Sequence, residues 1–147
     1  MSALSDNYEA KRQDGDIISY EIKNGEDIYK GAITTTTDAN GYLYAGADSA
    51  SITFQGIAVE KSLSSSVTTD ADGVRSVRVF RTGVFQLATG QTASQAWVGF
   101  KVYITDDGHV DLVGTPNNDC LVGVCVSYVS ANLIKVDIDG AASDGAA

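Results

Sequence analysis

The sequence predicts an all-β fold, a compact β-sandwich or barrel of roughly nine to ten short strands. Short runs of residues alternate between apolar and polar side chains, as residues 17–23 do, which is typical of strands with one buried face. Gly-, Asn- and Asp-rich turns separate these runs at roughly 8–12-residue intervals, and no stretch has long helical periodicity. With 147 residues, the chain has the length of one domain.

The composition divides the chain into three parts. Residues 1–16 are polar, with few sizeable apolar groups, and we expect them to form a flexible N-terminal arm. Residues 17–139 carry the strand patterns and are predicted to form a single β domain. Residues 140–147, GAASDGAA, are small and polar, which indicates a disordered tail.

The alternating and apolar runs predict strands one after another along the domain. They are expected at residues 17–23, 32–37, 42–45, 52–59, 77–80, 84–87, 98–104, 109–113, 121–129 and 133–138. Gly56, Gly83 and Gly99 lie inside these patterns, which suggests bulges or close backbone approaches. Residues 121–129 are apolar or small on both faces, so we expect a central strand buried on both sides.

One connection favours a short helix. Within residues 88–97, Ala93, Ala96 and Trp97 would share one face of a helix.

The net charge of −9 argues against several classes of function. A nucleic-acid binder needs a basic face for the phosphates, and docking on an anionic membrane needs one too. Arg75, Arg78 and Arg81 lie close together, but we interpret them as solvated charges that protect a strand edge. The N-terminus has no apolar core of signal-peptide type, and no run approaches membrane-spanning length, so we expect a protein made and kept in a cytosol.

Two acidic turns raise the question of calcium. The segments TTDANG at residues 36–41 and TTDADG at residues 68–73 are nearly identical. A calcium loop also needs a distal bidentate carboxylate, and Val79 stands where that group would follow Asp70 and Asp72. Asp and Asn before Gly are ordinary hairpin residues, so we interpret both segments as turns and expect no metal site.

Other candidate sites are also incomplete. His109, the single histidine, follows an Asp-Asp-Gly turn and is expected to be solvated. Cys120 and Cys125 have opposite strand parity, which disfavours a disulfide and a zinc site. Neither GxxxxGK[ST] nor GxGxxG occurs, so no nucleotide or other cofactor is expected. No catalytic constellation stands out, which favours a protein that is not an enzyme.

The order of these structural glycines and valines resembles the small capsid cement, or head-decoration, proteins of tailed bacteriophages. The resemblance covers most of the chain from Gly15 and can be written GVF…GxxVY…G…GV…KVDI. The matching segments are residues 31–33, 56–59, 77–85, 96–103, the Asp-Asp-Gly hairpin at 106–108, 121–124 and 134–138.

This resemblance implies a non-enzymatic virion protein that binds the outer surface of an expanded capsid and bridges major capsid protein subunits. It implies a homo-oligomer, with a trimer favoured, and residence in the host cytoplasm during assembly. The N-terminal arm would be a tether, with Leu4 and Tyr8 as apolar anchors and Lys11 and Arg12 as charges.

Three other functions remain open on the sequence. They are a tail or baseplate accessory module, a carbohydrate-binding β-sandwich and a small hydrolase with a cryptic acidic site. Tyr42, Tyr44 and Trp97 could form a sugar-binding platform, although packing in the core or at a strand edge is the ordinary use of such rings.

Overall fold

The structure is a computed structural model that describes residues 5–6, 15–112 and 118–141. Most of the predicted arm and nearly all of the predicted tail lie outside these residues, so both stay predictions. The all-β fold class is confirmed, because the described residues form ten strands and two single-turn 3₁₀ helices. The strands are β1 (Ile17–Glu21), β2 (Ile33–Thr37), β3 (Leu43–Ala45), β4 (Ile52–Ala58), β5 (Ser76–Phe80), β6 (Val84–Thr89), β7 (Lys101–Ile104), β8 (His109–Asp111), β9 (Leu121–Ser130) and β10 (Leu133–Asp137).

The first half of the chain forms a five-stranded antiparallel sheet in the order β1-β5-β4-β2-β3. The sheet curls so far that its two ends meet, because a bridge joins Ile22, just after β1, to Leu43 of β3. The Lys23 N–H donates to the Leu43 carbonyl at 3.1 Å at the same place. The curled sheet encloses a small core of Ile22, Ile28, Ala32, Leu43, Ala58, Val77 and Val79.

The second half forms a closed five-stranded barrel in the order β10-β6-β8-β7-β9. Its ladders are antiparallel except for β6–β8, and the ring closes through β9 and β10. Closure leaves the barrel without a free strand edge, which removes one route to aggregation. The larger core belongs to this half and includes Leu87, Trp97, Val102, Ile104, Val110, Val122, Cys125, Ile134, Val136 and Ile138.

Strand β2 joins the two halves because both of its sides are buried. Ala32 packs in the small core, whereas Ile33 packs in the barrel core. Threonine suits such a position because it has the shape of valine and its hydroxyl can bond to a neighbouring strand. Thr34 Oγ1 donates to the Gly56 carbonyl at 2.9 Å, and Thr36 Oγ1 accepts from Gln55 Nε2 at 2.9 Å.

The prediction that residues 121–129 are buried on both sides was wrong. In β9, Val122 and Cys125 face the core, but Val126 and Val129 are exposed on the outside of the barrel. The strand that is buried on both sides is β2, whose threonines gave a weaker apolar signal.

The glycine predictions had mixed outcomes. The bulge at Gly56 is confirmed, since the β2–β4 register shifts there from Thr34–Gly56 to Thr35–Phe54. Gly83 and Gly99 instead lie between strands with positive φ angles, and β7 begins only after Gly99. The predicted helix is reduced to one 3₁₀ turn, Gln95–Trp97, because β6 continues to Thr89.

We predict that Gly56→Ala strongly destabilises the fold. A Cβ at Gly56 would collide with the Phe80 carbonyl oxygen of β5, and φ of +148° is itself unfavourable for alanine. Overpacking against backbone costs about 2 kcal/mol or more, measurable as a lower urea midpoint. Gly15→Ala is the control, because a Cβ there meets nothing within 4 Å. Equal midpoints for the two variants would contradict this account.

Candidate docking surface

The residues predicted to contact a capsid, Leu4, Tyr8, Lys11 and Arg12, all lie outside the described residues. They stay predictions. The other candidate sites from the sequence lie within the described residues, and the structure shows the contacts that their side chains make.

The acidic turn at Asp70 and Asp72 is a clasp that holds another turn of the chain. Asp70 Oδ2 accepts from Gly25 N at 2.7 Å and Asp72 Oδ1 accepts from Asn24 N at 3.0 Å. These bonds fix the Asn24-Gly25 turn, which lies 45 or more residues away in sequence. These bonds agree with the interpretation of the segment as a turn, and the expectation of no metal site stays a prediction.

Arg75 completes the clasp, and its interpretation as a solvated charge was wrong. The residue is 6% exposed, and its guanidinium donates to both carboxylate oxygens of Asp70, at 3.0 and 2.8 Å. It also donates to the carbonyls of Glu26 and Ser62. The hydrogen bonds from Arg75, and then that from Gly25, lower the pKa of Asp70 from 3.8 to about 2.

The remaining polar candidates are dispersed. His109 is partly exposed and contacts Asp106 through Nδ1 at 2.8 Å. Cys120 and Cys125 are free, and burial raises the pKa of both thiols, which disfavours the reactive thiolate. Within the described ranges no group of three or more His, Cys, Asp or Glu side chains could hold a metal ion.

The three-ring sugar platform does not form. Trp97 is 6% exposed and packs in the barrel core, whereas Tyr42 and Tyr44 flank Leu43 in the first sheet. Tyr44 retains a polar role, because its hydroxyl accepts from Asn40 Nδ2 at 3.1 Å.

The outside of the barrel carries a cluster of exposed apolar residues that the core does not use. We call Phe100, Lys101, Val126 and Lys135 the barrel face. They lie on β9 or beside it, on or next to the two strands that pair with it: Lys101 of β7 pairs with Val124, and Lys135 of β10 pairs with Ser127. Phe100, at 54% exposed, is the largest apolar side chain of this face.

Two bulges in β9 give this face its shape. Against β10, the register passes from Cys125 to Ser127 and from Tyr128 to Ser130, so Val126 and Val129 are the extra residues. An extra residue in a bulge has no cross-strand partner, and its side chain is re-aimed. Both valines are 42% exposed, so the bulges place apolar side chains on the barrel surface.

Phe100 is held next to Val126 by backbone bonds around Gly99. Gly99 N donates to the Cys125 carbonyl at 2.8 Å, and Cys125 N donates to the Phe100 carbonyl at 2.9 Å. Beside the ring is a shallow hollow of about 340 Å³, lined by Gly99, Phe100, Lys101, Tyr103 and Leu112. A protruding ring beside a hollow is suited to contact with another protein surface.

The charges on the barrel face differ from those of the whole chain. Its lysines, Lys101 and Lys135, form no ion pair with any residue that the structure describes. The same holds for Lys30 and Lys61 in the first half, whereas Lys23, Arg75 and Arg78 are paired with Asp72, Asp70 and Glu60. In a chain of net charge −9, this face can therefore approach acidic or neutral protein surface with less repulsion than the rest.

Sequence reasoning missed the barrel face, because Val126 and Val129 were assigned to a buried strand and bulges cannot be placed without a pairing partner. The signal that could have indicated it is the Val-Gly-Phe-Lys run at residues 98–101, where a glycine with positive φ re-aims a bulky ring.

Comparisons with known proteins give little further information. No protein-family model and no curated protein matches the chain. Among solved structures, the head fiber gp8.5 N base of bacteriophage phi29 matches with a TM-score of 0.49 and 13% sequence identity, covering 83% of this chain and 93% of that chain. Similarity at this level carries no argument about function, so function has to be argued from the chain's own residues. Among the described residues, no helix has the length and apolar character needed to cross a membrane.

We predict that the clasp makes stability depend on pH in acid. Because the folded-state pKa of Asp70 is depressed from 3.8 to about 2, its contribution is complete above about pH 3.8. That contribution is lost as the pH falls through 2. Asp70→Asn removes it, so the variant's urea midpoint should fall less than the wild-type midpoint between pH 5 and pH 2.

Asp38→Asn is the control, since Asp38 occupies the corresponding position in the other TTDxxG turn and is exposed. Its pH profile should run parallel to that of the wild type. If Asp70→Asn also runs parallel to the wild type, the clasp is not the source of the acid dependence.

Proposed function

We propose that this chain is a non-enzymatic virion protein that decorates and stabilises the outer surface of a bacteriophage capsid by bridging major capsid protein subunits. The observation that carries the proposal is the barrel face, where exposed Phe100 and Val126 lie beside two lysines that form no ion pair among the described residues, on a closed barrel. The resemblance of the chain to capsid cement proteins supports the major capsid protein as the proposed partner. A homotrimer is the favoured assembly, and no nucleic acid, membrane or cofactor is involved.

The physical role follows from linkage. A protein that binds the expanded shell and not the immature one stabilises the expanded shell by its binding free energy. Repeated sites on the lattice add avidity when each protomer contacts more than one subunit. The strongly acidic chain also suits the outside of a shell better than a lumen filled with DNA.

The test is sedimentation of the purified chain with expanded, decoration-free capsids from the same virus. The proposal predicts co-sedimentation that saturates at a ratio fixed by lattice symmetry, and none with immature shells. The free protein in the same run reports whether it is a trimer. Absence of binding to both shells would favour a tail or baseplate accessory role.

We predict that Phe100→Ser weakens binding to expanded shells. Loss of an aromatic anchor at the centre of an interface costs about 2 kcal/mol, or about 30-fold in Kd. Tyr29→Ser is a matched control, because Tyr29 is an equally exposed ring, at 55%, that lies on the first half of the chain. Thermal unfolding of both variants should stay near wild type. Equal binding by the two variants would exclude the barrel face as the contact.

We also predict that removal of residues 1–14 lowers capsid occupancy. The shortened chain keeps β1, which begins at Ile17, and it keeps the barrel face, so it should fold and bind weakly. The lost binding reflects the proposed tether of Leu4, Tyr8, Lys11 and Arg12. Full occupancy by the shortened chain, measured by the same sedimentation assay, would remove the arm from the proposal.

A further inference from the structure

A pocket on the first sheet has the composition of a small-ligand site. It has a volume of about 220 Å³ and lies between β2, β3 and the loop that precedes β4. Its lining includes Glu26, Thr35, Thr37, Tyr44, Ser49 and Ile52. The barrel face is formed by the other half of the chain, so the capsid-binding proposal does not use this pocket.

Cross-strand pairing builds the pocket from one face of the sheet. Thr35 pairs directly with Tyr44, and Thr37 pairs with Ile52. These four side chains therefore point to the same side, opposite to Thr34 and Thr36, whose hydroxyls bond to β4. The pocket is thus a consequence of strand register and not of a loose loop.

The Thr35 hydroxyl is the observation that points to a ligand. Thr35 is 1% exposed, and among the described residues its side chain has no hydrogen-bond partner. The Thr35 hydroxyl is not among the fully enclosed unpaired atoms of the described residues, so it opens onto the pocket that Thr35 lines. Its hydrogen-bond partner is therefore solvent or a ligand in the pocket.

The other polar groups define the chemistry of that partner. Glu26 uses Oε1 to accept from Ala45 N at 3.0 Å, which leaves Oε2 able to accept another bond. The Tyr44 hydroxyl accepts from Asn40, so its own proton can be donated. The pocket therefore offers an acceptor, a donor and a hydroxyl that can be either, beside an aromatic ring and the apolar side chain of Ile52.

We propose that this pocket binds a single neutral sugar ring, such as the terminal residue of a glycan. Sugars combine hydroxyls that both donate and accept with an apolar ring face, which matches this lining. The pocket volume of about 220 Å³ is enough for one sugar ring. The Glu26 carboxylate repels anions. The pocket goes beyond the capsid role, and on a shell many such weak sites would act together.

The experiment is an NMR titration of the full chain with glucose, galactose, mannose, rhamnose, N-acetylglucosamine and N-acetylgalactosamine, each added separately. At least one sugar should shift the amide signals of Thr35, Tyr44 and Ser49 saturably, with a Kd in roughly the millimolar range expected for few contacts. Choline and methylammonium are titrated in parallel, because a carboxylate beside an aromatic ring could also hold a cation.

Thr35→Val tests the central contact, since valine keeps the shape and removes the hydroxyl. It should weaken sugar binding at least tenfold and leave the fold intact. Thr53→Val is the matched control, from the neighbouring strand and outside the pocket lining, and should bind like the wild type. Three results would each overturn the proposal: no sugar binds saturably, so that the pocket holds water only; Thr35→Val binds as well as the wild type; or only the ammonium compounds bind. None of these results depends on capsid binding.

Discussion

The burial of β2 on both sides is the constraint on which the rest of the structure depends. Ala32, just before this strand, packs in the small core of the curled sheet, and Ile33 at its start packs in the barrel core. Strand β4, the neighbour of β2, can lie close to β5 only because Gly56 has no Cβ that would collide with the Phe80 carbonyl. The two halves therefore form one packed unit, which provides a rigid base for surface features on either side.

The sequence predicted the strands well because alternation and turn chemistry are local. The sequence could not predict which strands pair or in what register, and strand pairing determines which side chains reach the surface. Arg75 was interpreted as solvated because nothing in the sequence connects it to Ser62 and Glu26. Val126 was interpreted as buried because its exposure follows from a bulge against β10. No sequence feature distinguishes Thr35 from the neighbouring threonines. Only the structure shows that Thr34 and Thr36 have hydrogen-bond partners among the described residues and that the Thr35 hydroxyl has none.

The two halves differ in what they present to the outside. The barrel presents Phe100, Val126, Lys101 and Lys135, a surface suited to a protein partner. The curled sheet presents a small pocket whose lining includes Tyr44 and Thr35. The clasp of Asp70 and Arg75 lies in neither surface and ties loops of the curled sheet together. A division of this kind would let one side of the molecule hold a shell while the other remains open to solvent.

The most direct test of the central claim is hydroxyl-radical footprinting of the chain, free and bound to expanded capsids. The account predicts that labelling of Phe100 and Tyr103 falls on binding, because the barrel face is covered. Labelling of Tyr29, an equally exposed ring on the other half, should stay unchanged. Protection of Tyr29 with full labelling of Phe100 would contradict the account and place the contact on the curled sheet.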